Sequence, residues 1–197
     1  DIYELGFAYY QIHNYEMAIN RFSKITSEPD SLAQNALYLL GDCYLKTSQK
    51  NNARMAFQNA SKYDYNDQIR YDALLNFAKL TYELSYSPFN EAIDAFNKFL
   101  ELYPESEKAD EVYSALGKVY MNTHNYQQAL EALENIKNVT SETEEAYQRV
   151  AFFRGIEFFN NLDFQNAIIS FDKSLNNSKY NQVYHAQAIF WKAEAYY

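Results

Sequence analysis

The chain has 197 residues, 48% of them hydrophobic and 22% charged, with 17 Lys and Arg against 26 Asp and Glu for a formal charge of −9. Its 4 glycines and 3 prolines are too few for turn-rich sandwiches and barrels or for glycine-looped nucleotide sites, and the acidic balance disfavours nucleic acid while leaving basic peptides acceptable as partners. The single cysteine, Cys43, excludes an internal disulfide and a zinc site of several cysteine ligands, and no apolar run approaches the roughly 18 residues that membrane insertion needs.

In chain order the pattern predicts helices over 1–12, 15–27, 31–47, 50–62, 68–85, 89–102, 106–123, 126–137, 142–160, 164–176 and 181–197, which is five hairpins and one further helix. Within hairpins the expected N-caps are Asn14, Asn125 and Asp163, with Ser87 before Pro88 at a first helical position. An aromatic follows in each case, Tyr15, Tyr126, Phe164 and Phe89, whereas Lys50 breaks the pattern. Between hairpins stand Pro29 and Pro104 and the caps Asp30, Ser106 and a capping box from Ser141 to Glu144.

Self-similarity organises these helices. Leu5-Gly6 with Tyr9 recurs as Leu40-Gly41 with Tyr44, as Leu116-Gly117 with Tyr120 and, altered, as Arg154-Gly155 with Phe158. Twelve residues after the glycines stand Ala18, Ala53, Ala129 and Ala167, and four further on Phe22, Phe57, Leu133 and Phe171. Another unit sets Ala78 at the glycine position, then Ala92 and Phe96 after a turn two residues longer, and a last one begins at Ala193. The period runs between thirty-five and thirty-nine residues. The small residue lets two helices approach, the later alanine faces it, and the aromatic fills the next groove. Such hairpins bury too little alone and must stack. The expected organisation is one solenoid over 1–197, with repeats at about 1–29, 30–65, 66–104, 105–140 and 141–179 and a half repeat at 180–197. The last helix carries an apolar face at Phe190, Trp191 and Tyr197, from which an excised portion of a longer repeat protein is expected.

Catalytic and cofactor patterns are sparse. Isolated helical glycines give no phosphate cradle, and neither Gly-x-Ser-x-Gly nor His-Glu-x-x-His occurs. His13 and His124 recur at one repeat position and read as solvated turn residues, His185 as a surface residue, and Cys43 as a buried thiol. Glu142, Glu144 and Glu145 fit a helix N-terminus better than a carboxylate cluster. The expectation is no enzyme, no metal and no cofactor.

The recurring residues, most fully Leu37, Leu40, Gly41, Tyr44, Ala53, Phe57 and Ala60, resemble the signature of the tetratricopeptide repeat, with Arg154 and Thr81 as departures. The resemblance implies an all-α, right-handed superhelical solenoid of about five and a half hairpins. It also implies a concave groove lined by a second stripe on the first helices: Tyr38, Asp42 and Leu45; Leu75, Lys79 and Tyr82; Lys118 and Met121, with Ser114; Phe152, Ile156 and Phe159; and Phe190 and Glu194, with Tyr3, Phe7 and Tyr10 at the start. None of the middle positions is the Asn that carboxylate-clamping members use. The implied function is a protein interaction scaffold that binds a peptide or helix of a partner. The rival reading is an architectural spacer with an empty groove. Residues Ala92 to Tyr120 are similar more narrowly to bacterial envelope members of the family, the Tol-Pal-associated periplasmic protein and the barrel-assembly lipoprotein, which implies a periplasmic or envelope location. No nucleic acid and no membrane insertion are expected, and self-association through the last helix is.

Overall fold

In a computed structural model, which describes residues 1–25, 30–84, 90–177 and 180–197, the protein is all-α. Eleven helices and no strand occur among the described residues: α1 (Ile2–Gln11), α2 (Tyr15–Phe22), α3 (Ser31–Lys46), α4 (Lys50–Ala60), α5 (Asp67–Leu84), α6 (Asn90–Leu102), α7 (Ala109–Asn122), α8 (Tyr126–Glu134), α9 (Ser141–Asn160), α10 (Phe164–Asn176) and α11 (Gln182–Tyr196). Two compact units follow one another, residues 1–104 and 105–197. Within the first, each helix packs on the next, and α1 also touches α3 as α3 touches α5. Within the second, α7 touches α9 and α9 touches α11 in the same way. The first helices of successive hairpins therefore stand side by side and share a face in each unit.

Three helix ends differ from expectation for local reasons. α2 stops at Phe22, where Lys24 and Ile25 tighten to bonds with the carbonyls three residues back. α7 starts at Ala109 because the Ser106 hydroxyl takes the N–H of Lys108 and its carbonyl that of Ala109, so Ser106 makes a turn and is not the cap. α8 ends at Glu134 because Asp110 draws the N–H groups of Lys137 and Asn138 away from the helix. The capping box of α9 is Thr140 with Thr143, one residue before the pair expected. Asp30 caps α3 through the Ala33 N–H at 2.7 Å. The expected features at Pro29, Ser87, Pro88 and Phe89 lie outside the described residues.

At the glycines, the space a methyl group would take is filled from sixteen residues further on. An added Cβ would lie 2.8 Å from the Phe22 ring at Gly6, 2.7 Å from Phe57 at Gly41 and 2.5 Å from Phe171 at Gly155. At Gly117 it would meet a Leu133 methyl at 3.0 Å, with the Ala129 carbonyl further off at 3.8 Å. The ring or leucine, more than the alanine twelve residues on, is what requires a small residue there. Ala18, Ala53, Ala78, Ala92, Ala129 and Ala167 are all fully buried. Where Arg154 replaces the signature leucine, its guanidinium lies 4.0 Å over the Phe158 ring and pairs with Glu157. The aliphatic stem keeps the packing while the charge is satisfied locally.

The turn inside four of the hairpins is one recurring object. The residue seven after the glycine, His13, Ser48, His124 or Leu162, has φ of 59°, 60°, 60° or 62°. Its N–H reaches the carbonyl three back and the next N–H the carbonyl five back, as in His13 to Tyr10 and Asn14 to Tyr9, both 2.9 Å. This Schellman closure ends on Asn14, Gln49, Asn125 or Asp163, which is also the N-cap of the following helix. Asn14 and Asp163 accept the N–H of Met17 and Asn166, each at 3.3 Å. Asn125, expected to do the same, turns its amide to the Thr123 hydroxyl at 2.9 Å, and Gln49 does likewise to Thr47 at 3.1 Å. A threonine two residues earlier competes for the side chain.

The opposite ends of the hairpins are closed by polar latches. Gln34 and Gln148, both fully buried and both seven residues before a glycine, reach the N-cap residue of the next repeat. The amide of Gln148 donates to the Asn181 carbonyl at 2.9 Å and accepts its N–H at 2.9 Å. Asp110, at the same position, accepts the N–H of Lys137 at 2.8 Å and of Asn138 at 2.9 Å. Asp67 with Tyr103 and Glu144 with Tyr180 make a second set, each 36 residues apart.

Candidate functional site

On the shared face of the first unit, three rings of α1 run in a ladder. Tyr3 and Phe7 stack at 6.4 Å with planes 7° apart, and Phe7 and Tyr10 at 6.3 Å and 19°. Phe7 stays 39% exposed. The Tyr10 hydroxyl crosses to α3 and donates to Asp42 at 2.7 Å. Burial, with the carboxylate beside it, raises the Tyr10 phenol above its ordinary pKa. Tyr38 is half-buried, with its ring 5.7 Å from Phe57, and burial followed by the charges of Asp72 and Asp42 raises its phenol too. Leu45, Lys79 and Tyr82 are half-buried. Leu75 is buried: at the position where Tyr38 extends outward, the shorter leucine stays in the floor. Below this face, burial and then Asp42 push the Cys43 thiol up to about 12, which keeps it protonated and inert.

The face of the second unit is differently made. Lys118 pairs with Glu142 of the next first helix at 3.0 Å. Phe152 is only 5% exposed, because Tyr184 packs on it at 5.4 Å from above and Phe171 at 6.0 Å from below; it belongs to the core and not to the groove surface. Met121 and Ile156 are half-buried, and Phe159 sits 5.1 Å from Trp191. Phe190 is 56% exposed and Glu194 is exposed. A cleft of about 300 Å³ opens between Lys118, Glu142, Glu145, Ala146, Arg149, Asn181 and Tyr184. Arg149 and Glu145 carry no repeat signature. Following the four-and-three stripe backward from Phe152 along the long α9 reaches both, and Glu142 after them.

His13 and His124 lie in the left-handed turns, each ring 5.8 Å from the tyrosine two residues on. His185, expected at the surface, is half-buried on α11. Among the described residues no three His, Cys, Asp or Glu side chains gather as a metal site, and no helix is long and apolar enough to cross a membrane.

Residues 35–64 and 72–106 match the family model of the tetratricopeptide repeat. The crystal structure of MamA protein aligns with 90% of this chain and 90% of its own at TM-score 0.53 and 18% identity. A TPR repeats protein from Bacteroides fragilis aligns over 98% and 97% at TM-score 0.55 and 15% identity. The chain has the tetratricopeptide repeat fold. YrrB, described as a TPR protein with an unusual peptide-binding site, shares it at TM-score 0.53 and 17% identity, over 96% of this chain and 90% of that one. No curated protein matches the sequence. The fold is consistent with a protein interaction scaffold.

Proposed function

We propose that the chain is a non-catalytic scaffold that holds a peptide or helix of a partner protein against the face of its first helices. The observation that carries this is the ladder of Tyr3, Phe7 and Tyr10, presented toward solvent and tied to α3 through Asp42. Rigid rings with few rotatable bonds give large contact area at small entropic loss, which is how interaction surfaces are anchored. The peptide-binding site attributed to YrrB supports the reading by likeness of fold. The test is affinity for a partner captured from cell extract and then purified. A Phe7→Ala, Tyr38→Ala double variant that keeps its helical content is expected to bind at least tenfold more weakly, and unchanged affinity would overturn the groove as the site.

Two further parts belong to this proposal. The resemblance of the Ala92 to Tyr120 sequence to envelope proteins supports a role in envelope assembly, which cell fractionation of the tagged chain tests. The exposure of Ile189 and Phe190 on α11 supports self-association, and a sedimentation mass that stays monomeric at high concentration would rule it out. The architectural reading draws on the second unit, where Phe152 is core and Lys118 is engaged with Glu142.

A further inference from the structure

We infer that the face of the first unit receives a basic, arginine-bearing segment, its guanidinium held by the carboxylates of Asp42 and Asp72 and stacked on the rings of Phe7, Tyr10 and Tyr38. This rests on the scaffold reading and names the chemistry of what is bound. α1, α3 and α5 stand side by side, so their stripes form one surface. Along the stripes themselves the ionic side chains are Asp42 on α3 and Asp72 and Lys79 on α5, two carboxylates against one ammonium. The remaining lining is aromatic: Tyr3, Phe7, Tyr10, Tyr38 and Tyr82.

The two carboxylates act on the same ring. Asp72 stands one step before Leu75 in the α5 stripe and accepts the Gln68 amide at 3.1 Å, and its charge, with that of Asp42, adds to the burial that raises the Tyr38 phenol. Asp42 is held in place by the Tyr10 hydroxyl at 2.7 Å, and that bond occupies one of its Oδ2 lone pairs. A carboxylate offers about four acceptor positions, so a fork of N–H donors can still be received. The exposed Phe7 ring and the half-buried tyrosines supply the negative π faces that attract a cation. Arginine satisfies both requirements, since its planar guanidinium donates in a fork and stacks, whereas lysine presents a compact hydrated charge.

The experiment is selection from a random peptide library displayed on phage, followed by fluorescence titration of the selected peptides. It uses the whole chain, Asp42→Asn and Asp72→Asn singly and together, Phe7→Ala with Tyr38→Ala, and Asp94→Asn on α6 as a remote control. Asn at 42 keeps an acceptor for Tyr10, and circular dichroism verifies that each variant is folded. The expected result is enrichment of arginine over lysine and of both over acidic residues. Affinity should fall about tenfold in the Asp42→Asn, Asp72→Asn variant, weaken with added salt and be unchanged in Asp94→Asn. Selected peptides that are neutral or acidic yet lose affinity in Phe7→Ala, Tyr38→Ala overturn the inference and leave the scaffold reading standing. Peptides indifferent to every face variant, or no enrichment at all, overturn both.

Discussion

Gln34 and Asn66 exchange two hydrogen bonds across the joint between the second and third hairpins: the Gln34 amide donates to the Asn66 carbonyl at 3.1 Å and accepts the Asn66 N–H at 2.8 Å. The same amide also reaches the Tyr63 carbonyl at 2.9 Å, and the side chain is fully buried. Asn66 in turn accepts the Ile69 N–H at 3.1 Å, so one buried glutamine positions the start of α5. Removing it strands backbone polar groups, at about 1–3 kcal/mol for each that water cannot reach. Gln34→Leu is expected to lower unfolding free energy by roughly 2–4 kcal/mol in urea titrations. The Asn66 amide should at the same time exchange hydrogen faster. A variant as stable as the parent would show that the loop holds itself.

The glycines divide by what covers them. At Gly41 three atoms of the fully packed Phe57 ring come within 2.9 Å of an added methyl, whereas at Gly117 the obstacle is a leucine tip at 3.0 Å. A rotatable leucine yields more readily than a buried ring. Gly41→Ala should therefore lose about 1–3 kcal/mol and Gly117→Ala less. Combining Gly41→Ala with Phe57→Leu, which copies the pairing at 117 and 133, should cost less than the two changes summed. Additive losses would refute the contact as the cause.

Leu162 holds φ of 62° with a side chain 74% exposed. A left-handed backbone disfavours any residue with a Cβ, and little burial is at stake here. Leu162→Gly is expected to raise stability by up to about 1 kcal/mol, partly offset by the greater freedom of glycine in the unfolded chain. A lower melting temperature would contradict the expectation.

Asp110 titrates below the usual carboxylate range, first because the Lys137 N–H bonds it and then, against the opposing effect of burial, through Asn138 and the Lys137 charge. A folded pKa below the unfolded one means that protons bind more tightly to the unfolded chain. The latch therefore contributes fully above about pH 4 and is lost as pH falls through the folded pKa. The stability gap between the parent and Asp110→Ala should be constant near neutrality and close below pH 4. A gap that persists at low pH would assign the effect to packing.

The hairpins are legible in the sequence because each places a small residue and a bulky one at fixed distances, and the contact of Gly41 with Phe57 is the physical content of that spacing. The latches are not. Gln34, Asp110 and Gln148 share a position, yet glutamine and aspartate look alike only once their common task, meeting loop N–H groups, is seen in space. Position 71 in that register holds Tyr71, which packs on Phe99 and Tyr103 at 5.1 and 5.0 Å, so the polar pattern gives way there to an aromatic one. On the candidate face, the stripe names Tyr38 and Asp42, and both stand half-buried on α3. It could not tell that Phe152 would be covered, because that depends on Tyr184, thirty-two residues further along the chain on α11. The Glu145 and Arg149 part of the second face was hidden because a first turn rich in glutamate already had an explanation.

The four left-handed turns leave no spare residue: the last position of one cap is the first of the next. An insertion there would break two helix ends at once, whereas three joints between hairpins, at Gln34, Asp110 and Gln148, are held by side-chain latches that can re-form around a longer loop. The repeat lengths carry the mark of this difference, since the separation in sequence from glycine to its covering side chain is constant in these four hairpins while the full period drifts. In these four hairpins the hand-over loops are therefore the places where new sequence can be grafted with least harm to the helices.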